Sequence, residues 1–503
     1  MRCARNFKLL LTFPVALSLL QALTNAQSEL GIFSKQSDVG QVKNAGRTTF
    51  DAEQQSYVLS GSGSNMWFGK DEFHFVWKKV TGDFVLHARG HLLGEGVDPH
   101  RKFGWMIRNN LDTDSPYVDI AVHGDGLTSM QFRRTSSADT EQIQSAVSAP
   151  DVIQLSRNGN RFVMSVAKHG DLLQPAEHLD LPLEDEVYVG LFVCSHNADV
   201  VEQAAFDNVR LIRPAASDFR PYRDYIGSHL EILDVSSGRR KIVHTVSDSL
   251  QAPNWTKTGQ LIFNRNGALF AFDASNRQIS SIDSGSATRN NNDHVLSFDG
   301  QWLGISHHSA EDNGRSNVYI IPATGGQPRR LTAAGPSYLH GWSPDGKYVI
   351  YTAERNGEFD IYRLPVSGGQ EENLTRSEGL DDGSEYTPDG KQIYFNSTRS
   401  GRMQIWRMNA NGSSPEQVTD DAFNNWFPHV SPDGKHLVML SFDGDVSPTD
   451  HPFYKHVLIR QLNISNGESK VLAYVYGGQG TINVPSWSPD SQQLAFVSNS
   501  QVE

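Results

Sequence analysis

Two patterns of apolar residues divide the chain. In the second half, short runs that alternate apolar and polar residues recur at regular intervals, for example at 347–351, 360–364, 391–395 and 404–408. A period of two is typical of β-strands that bury one face. In the first half, strand-like runs follow one another without a fixed interval, at 73–77, 83–88, 103–108, 117–122, 161–166 and 187–193. The pattern predicts an all-β chain made of two different domains.

A four-residue turn motif marks the regular half. Ser343-Pro344-Asp345-Gly346 has counterparts that begin at residues 387, 431 and 488, and weaker copies begin at 256 and 297. Proline presets φ at the first central position of a type I turn, aspartate suits the second, and glycine tolerates the exit. The repeat unit is about 44 residues, which with four short strands per unit is typical of a β-propeller blade.

The two ends of the regular half complement each other. The last copy contains only the first two strands of a unit, whereas 231–238 and 241–246 have the pattern of the last two. Together they complete a sixth blade, and their pairing removes exposed sheet edges. We therefore predict a six-bladed β-propeller closed by pairing of its terminal strands. An open β-solenoid is the alternative, and the complementary half-units disfavour it.

The N-terminus has the layout of an export signal. Arg2, Arg5 and Lys8 precede the apolar run 9–20, and small residues end at Ala26, which predicts a signal peptide over 1–26. The run is shorter than the ~20 residues that a membrane-spanning helix needs. The expected location is periplasmic or secreted, without stable membrane insertion after signal removal. An uncleaved anchor is the alternative.

Composition and linkers complete the domain prediction. Residues 29–214 form the first domain, 215–227 a proline-containing linker, and 228–503 the propeller. A hydrophobic share of 38% excludes a disordered chain. The net charge of −13 makes a broad nucleic-acid interface unfavourable, because phosphates are repelled. Cys194 lies in an apolar strand-like run and is expected to be a buried small residue rather than a nucleophile.

The repeated turns also support a family resemblance. With Ile-Tyr pairs before Gly-Gly turns, they resemble the TolB-like six-bladed propeller family of exported proteins, over about 280 residues. Residues 205–211 resemble the closing strand of concanavalin-like jelly-roll sandwiches, so the first domain is expected to be a concanavalin-like β-sandwich. The first resemblance implies a fold but little about function, since such propellers include protein-binding scaffolds, peptidase gates and polysaccharide lyases. The second implies glycan binding.

Polar residues before each turn suggest a site at one mouth of the propeller channel. His294 and His340 lie three residues before a turn, where proline recurs in other blades, and Glu385 and His429 lie two residues before the next two turns. Imidazole can relay a proton near neutral pH. The other expected ligand-binding residues are Asp293, His308, Asp381, Asp382, Asn424, Asn425, Trp426, His451, Gln479 and Asn483, together with His294. The alternative is that these groups serve strand ends and waters in a wet channel.

The first domain offers its own candidates for a sugar-binding face. Trp67 ends a polar loop rich in Gly and Ser and is included among the ligand-binding residues. Asn65 and His123 are further candidates, although the latter also fits a tight turn. Trp77 and Trp105 lie in alternating runs and are expected to belong to the core.

These observations favour an exported glycan-binding or glycan-processing protein. If it cleaves its ligand as a polysaccharide lyase or glycoside-cleaving enzyme, His340, Glu385 and His429 are the expected catalytic acids and bases. Some TolB-like propellers are pectic-oligosaccharide lyases that use histidine and a divalent cation, so a cation at the mouth is a further hypothesis, with no ligand set assigned. The alternative is a non-catalytic TolB-like scaffold of the cell envelope, with an envelope protein as partner.

Overall fold

The computed structural model describes residues 29–174, 178–220 and 223–502. The signal peptide predicted over 1–26 lies outside the described residues. The described part is all-β, with one 3₁₀ helix at Ala310–Asp312. No helix in these three ranges has the length and apolar composition that crossing a membrane requires.

The first half forms two seven-stranded antiparallel sheets. Their strands are β1 Lys35–Val39, β2 Arg47–Asp51, β3 Ser56–Gly61, β4 Phe73–Thr81, β5 Phe84–Leu93, β6 Lys102–Arg108, β7 Tyr117–His123, β8 Thr128–Arg133, β9 Glu141–Gln144, β10 Val152–Asn158, β11 Arg161–Ala167, β12 His178–Asp180, β13 Glu186–Cys194 and β14 Glu202–Ile212. The strand order is β1-β4-β13-β6-β7-β8-β9 in one sheet and β12-β11-β10-β5-β14-β3-β2 in the other.

Apolar side chains from both sheets pack into one core, so the first half is a β-sandwich. Leu86 and Leu155 of one sheet meet Trp105 and Leu191 of the other in this core. Alternate residues of each strand face inward, as the period-two runs predict. Trp105 is buried there, and Trp77 packs with Tyr188 on the other face of its sheet. Both tryptophans are thus packing residues, as expected.

The second half forms six sheets around a channel. Their strands are β15 Gly227–Asp234, β16 Arg240–Val246, β17 Gln251–Trp255, β18 Gln260–Arg265, β19 Ala268–Asp273, β20 Gln278–Ile282, β21 Asn290–Leu296, β22 Trp302–His308, β23 Ser316–Pro322, β24 Arg329–Arg330, β25 Ser337–Trp342, β26 Tyr348–Arg355, β27 Glu358–Pro365, β28 Glu372–Asn373, β29 Asp381–Tyr386, β30 Gln392–Ser397, β31 Gln404–Asn409, β32 Glu416–Gln417, β33 Asn424–Val430, β34 His436–Phe442, β35 Lys455–Asn463, β36 Ser469–Gly477 and β37 Gln493–Ser500. Five sheets are four-stranded and follow the chain order from β17 to β36.

The terminal strands close the ring. β37 pairs antiparallel with β15 along its whole length, from Gly227 opposite Ser500 to Asp234 opposite Gln493. The sixth sheet has three strands, β16-β15-β37. The chain before β37 occupies the innermost position of this sheet but does not form the regular strand that the sequence predicts. It contacts β37 through the Trp487–Leu494 bridge and accepts hydrogen bonds from the backbone N–H groups of Ala495 and Val497. Pro485 in that segment lacks an N–H group, which limits regular pairing.

The repeated turns share one set of hydrogen bonds. The Ser343 hydroxyl donates to the Asp345 carboxylate at 2.7 Å and accepts the backbone N–H of Tyr348 at 2.9 Å. Thr387 and Ser431 make the same contacts in the next two blades. Gly346 has φ +69°, which favours glycine at this position. The motif recurs because each copy makes its own local hydrogen bonds.

Each innermost strand of the five four-stranded blades contains a bulge. The register with the second strand shifts between Asp382 and Glu385 in β29, and at corresponding places in β17, β21, β25 and β33. A bulge changes the direction in which the following side chains face. Residues before and after it therefore serve different ends of the channel.

Candidate functional site

A cavity of about 1030 Å³ opens where the innermost strands begin. Its wall includes Asn290, Asn292, Asp293, His340, Asp382 and His451, and we call it the mouth cavity. β21, β25 and β29 supply the first five of these residues, and the connection between β34 and β35 supplies His451. Of the residues expected at the mouth, those that line this cavity are Asp293, His308, His340, Asp382, His451, Gln479 and Asn483.

His340 and Asp382 form an ion pair in the wall of the mouth cavity. His340 Nε2 lies 2.8 Å from Asp382 Oδ1, and both side chains are largely buried. Burial alone would lower the pKa of His340, but the Asp382 carboxylate outweighs it and the pKa is raised. Burial would raise the pKa of Asp382, yet His340 lowers it to about 2. The pair is therefore ionised at neutral pH.

Asp293 is a second buried carboxyl beside this pair. Its side chain accepts a hydrogen bond from Asn291 Nδ2 at 2.7 Å. Burial raises the pKa of Asp293 to about 6, the nearby imidazole of His340 lowers it, and the carboxylate of Asp382 raises it. At neutral pH the group is mostly ionised. The mouth cavity thus holds two carboxylates and one imidazolium close together.

His451 reaches the cavity from the connection between β34 and β35, which is an insertion in the fifth four-stranded blade. Its ring packs edge-on against Trp426 at 4.5 Å and against Phe427 at 5.2 Å, measured between centroids. Burial lowers the pKa of His451, opposed by the charge of Asp382, so the ring is neutral at pH 7. Its Nδ1 has no hydrogen-bond partner among the described residues.

The rim of the cavity includes aromatic residues that sequence reasoning missed. Tyr225 comes from the linker between the domains, is 40% exposed, and lies edge-on to Phe453 of the same insertion, with centroids 6.0 Å apart. Phe427 and Tyr338 also line the cavity. The polar run 290–293 preceded a predicted strand and could have been found from sequence, whereas nothing in the sequence places Tyr225 beside the fifth four-stranded blade.

Glu385 and His429 lie elsewhere, which corrects the expectation of one shared opening. His429 Nδ1 is 2.7 Å from Glu385 Oε2, and His429 Nε2 is 2.5 Å from the carbonyl oxygen of Ile482. Glu385 faces a separate cavity of about 300 Å³ at the opposite end of the channel, beside Trp342 and Trp487. Burial raises the pKa of Glu385, and His429 opposes this. The bulges place these groups outside the lining of the mouth cavity, although the Glu385 carboxylate is still close enough to help raise the pKa of His340.

Five other expected mouth residues make structural contacts instead of lining the cavity. His294 is buried and contacts the carbonyl of Ile262 in the neighbouring blade at 3.3 Å, and burial lowers its pKa to about 4. Asp381 pairs with Arg399 at 2.8 Å. Asn425 donates to Gln404 of the preceding blade and accepts from Ser441 of its own, Asn424 accepts the N–H of Met403 and donates to the carbonyl of Val446, and Trp426 is buried.

Two outlying candidates have separate positions. His308 lies at the rim, and the contact between its Nδ1 and the Gly314 carbonyl oxygen measures 3.0 Å. Trp67 lies in the sandwich, where its carbonyl accepts the N–H of Thr140, and it does not line the mouth cavity. Trp67 therefore belongs to no shared site with the propeller histidines.

The chemistry of the wall does not fit a metal centre. Within 29–174, 178–220 and 223–502, no three His, Cys, Asp or Glu side chains are arranged to hold a metal ion. His340 and Asp382 are already directed at each other. We therefore assign no divalent cation to the mouth. The wall can instead form hydrogen bonds and hold a charged group.

Comparisons with known proteins concern the propeller. The TolB β-propeller domain family matches residues 340–501. An uncharacterised protein of Agrobacterium fabrum is 42% identical over 278 residues, which is 55% of this chain and 94% of that protein. A solved structure from Agrobacterium tumefaciens that carries the TolB name shares 41% identity, covers 56% of this chain and 100% of its own, and has a TM-score of 0.53. A TolB structure from Acinetobacter baumannii shares 18% identity over 58% of this chain and 77% of its own, with a TM-score of 0.40.

Proposed function

Because this chain belongs to the family of TolB-like β-propeller proteins, we propose that it is an exported protein that binds an oligosaccharide in the mouth cavity. The family by itself leaves the ligand open, since propellers of one fold serve many functions. The observation that supports a saccharide is the density of carboxamide side chains around one enclosed space.

Carboxamides dominate the polar part of the wall. They are Gln251, Asn264, Asn266, Asn290, Asn291, Asn292, Gln479 and Asn483. Each carboxamide presents both a donor and an acceptor, which matches sugar hydroxyl groups that also do both. A phosphate or nucleotide site would instead need cationic side chains or a helix N-terminus. The wall therefore suits a neutral, hydroxyl-rich ligand better than an anionic one.

The aromatic rim supplies the second element of saccharide binding. Tyr225, Phe359 and Phe453 line the cavity around its opening, where the C–H face of a sugar ring can pack on them. Pockets of this kind combine apolar area with a few fixed polar groups. The cavity of about 1030 Å³ has room for several sugar residues.

The proposal is binding rather than bond cleavage. Of the expected trio, His340 lines the mouth cavity, Glu385 lines the cavity at the opposite end, and His429 lines neither. A lyase or a glycoside-cleaving enzyme needs its acid and base on one ligand. Of the three residues, only His340 lines the mouth cavity.

Export is part of the proposal. Its support is the signal-peptide layout of residues 1–26 and the membership of a family that includes envelope proteins. Cys194, the single cysteine of the described residues, is buried and unpaired, so it does not require a particular redox compartment.

Binding to a glycan array tests the proposal, with Tyr225→Ala and Phe298→Ala as a matched pair. Both aromatic residues are about two-fifths exposed, but Phe298 lies at the opposite end of the channel. We expect the wild type to bind at least one oligosaccharide series, and Tyr225→Ala to weaken that binding roughly tenfold. Phe298→Ala should leave it unchanged. Absence of saccharide binding, or equal loss in both variants, would contradict the proposal, and capture of an envelope protein at the mouth would favour the scaffold alternative.

A further inference from the structure

The charge of the mouth cavity is one-sided. Asp293, Glu358 and Asp382 line it, whereas no lysine or arginine is among its lining residues in the described part of the chain. His340 balances Asp382 through their ion pair. The same imidazolium also acts on Asp293, but one cation cannot balance both aspartates, and Glu358 adds a third carboxylate, so the wall has an excess of negative charge.

Asp293 is the buried part of that excess. The residue is 5% exposed, and its side chain is held by the neutral Asn291 amide rather than by a guanidinium or ammonium group. The nearby His340 imidazolium is already paired with Asp382, and a buried carboxylate without a cation of its own costs free energy. An ammonium group on a ligand would supply the missing partner.

Two further polar atoms, on residues close to Asp293 in β21, have no hydrogen-bond partner within the described part of the chain. Asn290 donates from its Nδ2 to the carbonyls of Gly267 and Ala287, which leaves its buried Oδ1 without a donor. Asn292 has a buried Nδ2 without an acceptor. Both residues are more than nine-tenths buried and line the mouth cavity. Because buried polar atoms are nearly always hydrogen-bonded, these atoms indicate where a ligand would bind.

We infer that the mouth cavity selects an oligosaccharide that bears an ammonium group, as amino sugars do, and that Asp293 pairs with that ammonium. The inference rests on the proposed saccharide-binding function and narrows its substrate class. Asn290 Oδ1 accepts a second ammonium or hydroxyl hydrogen, and Asn292 Nδ2 donates to a hydroxyl oxygen. A polyuronate is disfavoured, because its carboxylates would meet carboxylates without a balancing cation.

Matched oligosaccharides test this directly. The probes are oligosaccharides that share one backbone and differ only at C2, which carries a free amine, an acetylated amine or a hydroxyl group. Each set is prepared in a gluco and in a galacto form. A galacturonate oligomer is the anionic probe. Isothermal titration with the full-length mature protein at neutral pH should rank the free amine above its acetylated and hydroxyl counterparts by at least about tenfold. The galacturonate oligomer should not bind. This ranking uses the wild type and does not depend on the folding of a variant.

The variant Asp293→Asn identifies the residue responsible. It should remove the preference for the free amine while leaving affinity for the hydroxyl series within about twofold. Asp389→Asn is the control, because it removes the same charge from an exposed turn outside the mouth-cavity wall. Equal affinity for all three series, or a preference that persists in Asp293→Asn, would overturn the inference and leave the saccharide function standing. Absence of binding to every series would overturn the saccharide function and the inference with it.

Discussion

At the scale of single residues, Asp293 shows a conflict between stability and binding. Burial raises its pKa to about 6, with His340 lowering it and Asp382 raising it. Its ordinary pKa is near 3.8, so the native state binds a proton more tightly than the unfolded chain. The stability contributed by the protonated form is fully present below that ordinary value and is lost as the pH rises through about 6. Sites for ligands often retain such unfavourable groups.

Asp293→Asn should therefore stabilise the protein at neutral pH. The difference between the two pKa values corresponds to an upper limit of about 3 kcal/mol, and we expect about 1–3 kcal/mol in urea unfolding at pH 7.5. The gain should vanish near pH 4, where the aspartic acid is protonated and resembles asparagine. His340, Asp382 and Asn291 are the groups around Asp293. An equal gain at both pH values would show that the charge is not its cause.

At the scale of elements, polar residues two positions before three of the turns, Asn254, Glu385 and His429, link neighbouring blades. Asn254 Oδ1 accepts the N–H of Leu296 in the next blade at 3.1 Å, and Glu385 Oε1 accepts that of Val430 at 3.2 Å. His429 in turn contacts Ile482 in the closing sheet's inner segment. The variety of polar residues at this position thus reflects contacts between blades, whereas the sequence pattern suggested a binding function.

His429→Ala should destabilise the propeller. It would leave Glu385 Oε2 without its imidazole partner in a buried position, and loss of one member of a buried pair costs about 3 kcal/mol. His308→Ala, at the rim, should change stability by less than about 0.5 kcal/mol. Chemical denaturation measures both. Unchanged stability of His429→Ala together with lost ligand affinity would assign His429 to binding instead.

At the scale of the whole molecule, buried charges join the sandwich to the propeller. Glu231 of β15 is fully buried and lies 2.7 Å from Arg210 of β14 and 2.8 Å from Arg240 of β16. Burial alone would raise the pKa of Glu231, but the two guanidinium groups hold it well below its usual range. The Gln55 side chain also bonds both the N–H and the carbonyl of Ile242. These contacts hold the sandwich against the closing sheet of the propeller.

We expect the full-length chain to unfold in a single calorimetric transition, because the two domains share this buried cluster. Arg210→Met should separate the transition into two and lower the stability of the junction by about 3 kcal/mol. Arg134→Met is the control, since Arg134 forms an exposed pair with Glu141 within the sandwich. A single unshifted transition in Arg210→Met would show that the cluster does not couple the domains.

The sequence by itself determined the features that depend on local interactions. Each Ser-Pro-Asp-Gly turn makes its hydrogen bonds within six residues, so six blades and the closure of β37 on β15 were predictable. The insertion that contains His451 could also be recognised from the sequence, because it lengthens the regular spacing between the turn motifs. A period of two could not reveal the bulges, since a single added residue reverses which side chains face the channel.

Only the tertiary structure decided which polar residues share a cavity. Asp382 and Glu385 are three positions apart, yet the bulge between them sends one to the mouth and the other to the opposite end. Tyr225 reaches the rim because the linker packs on the fifth four-stranded blade. The partners of His340 and His429 come from neighbouring blades, and such pairing follows from the closure of the ring rather than from the order of residues.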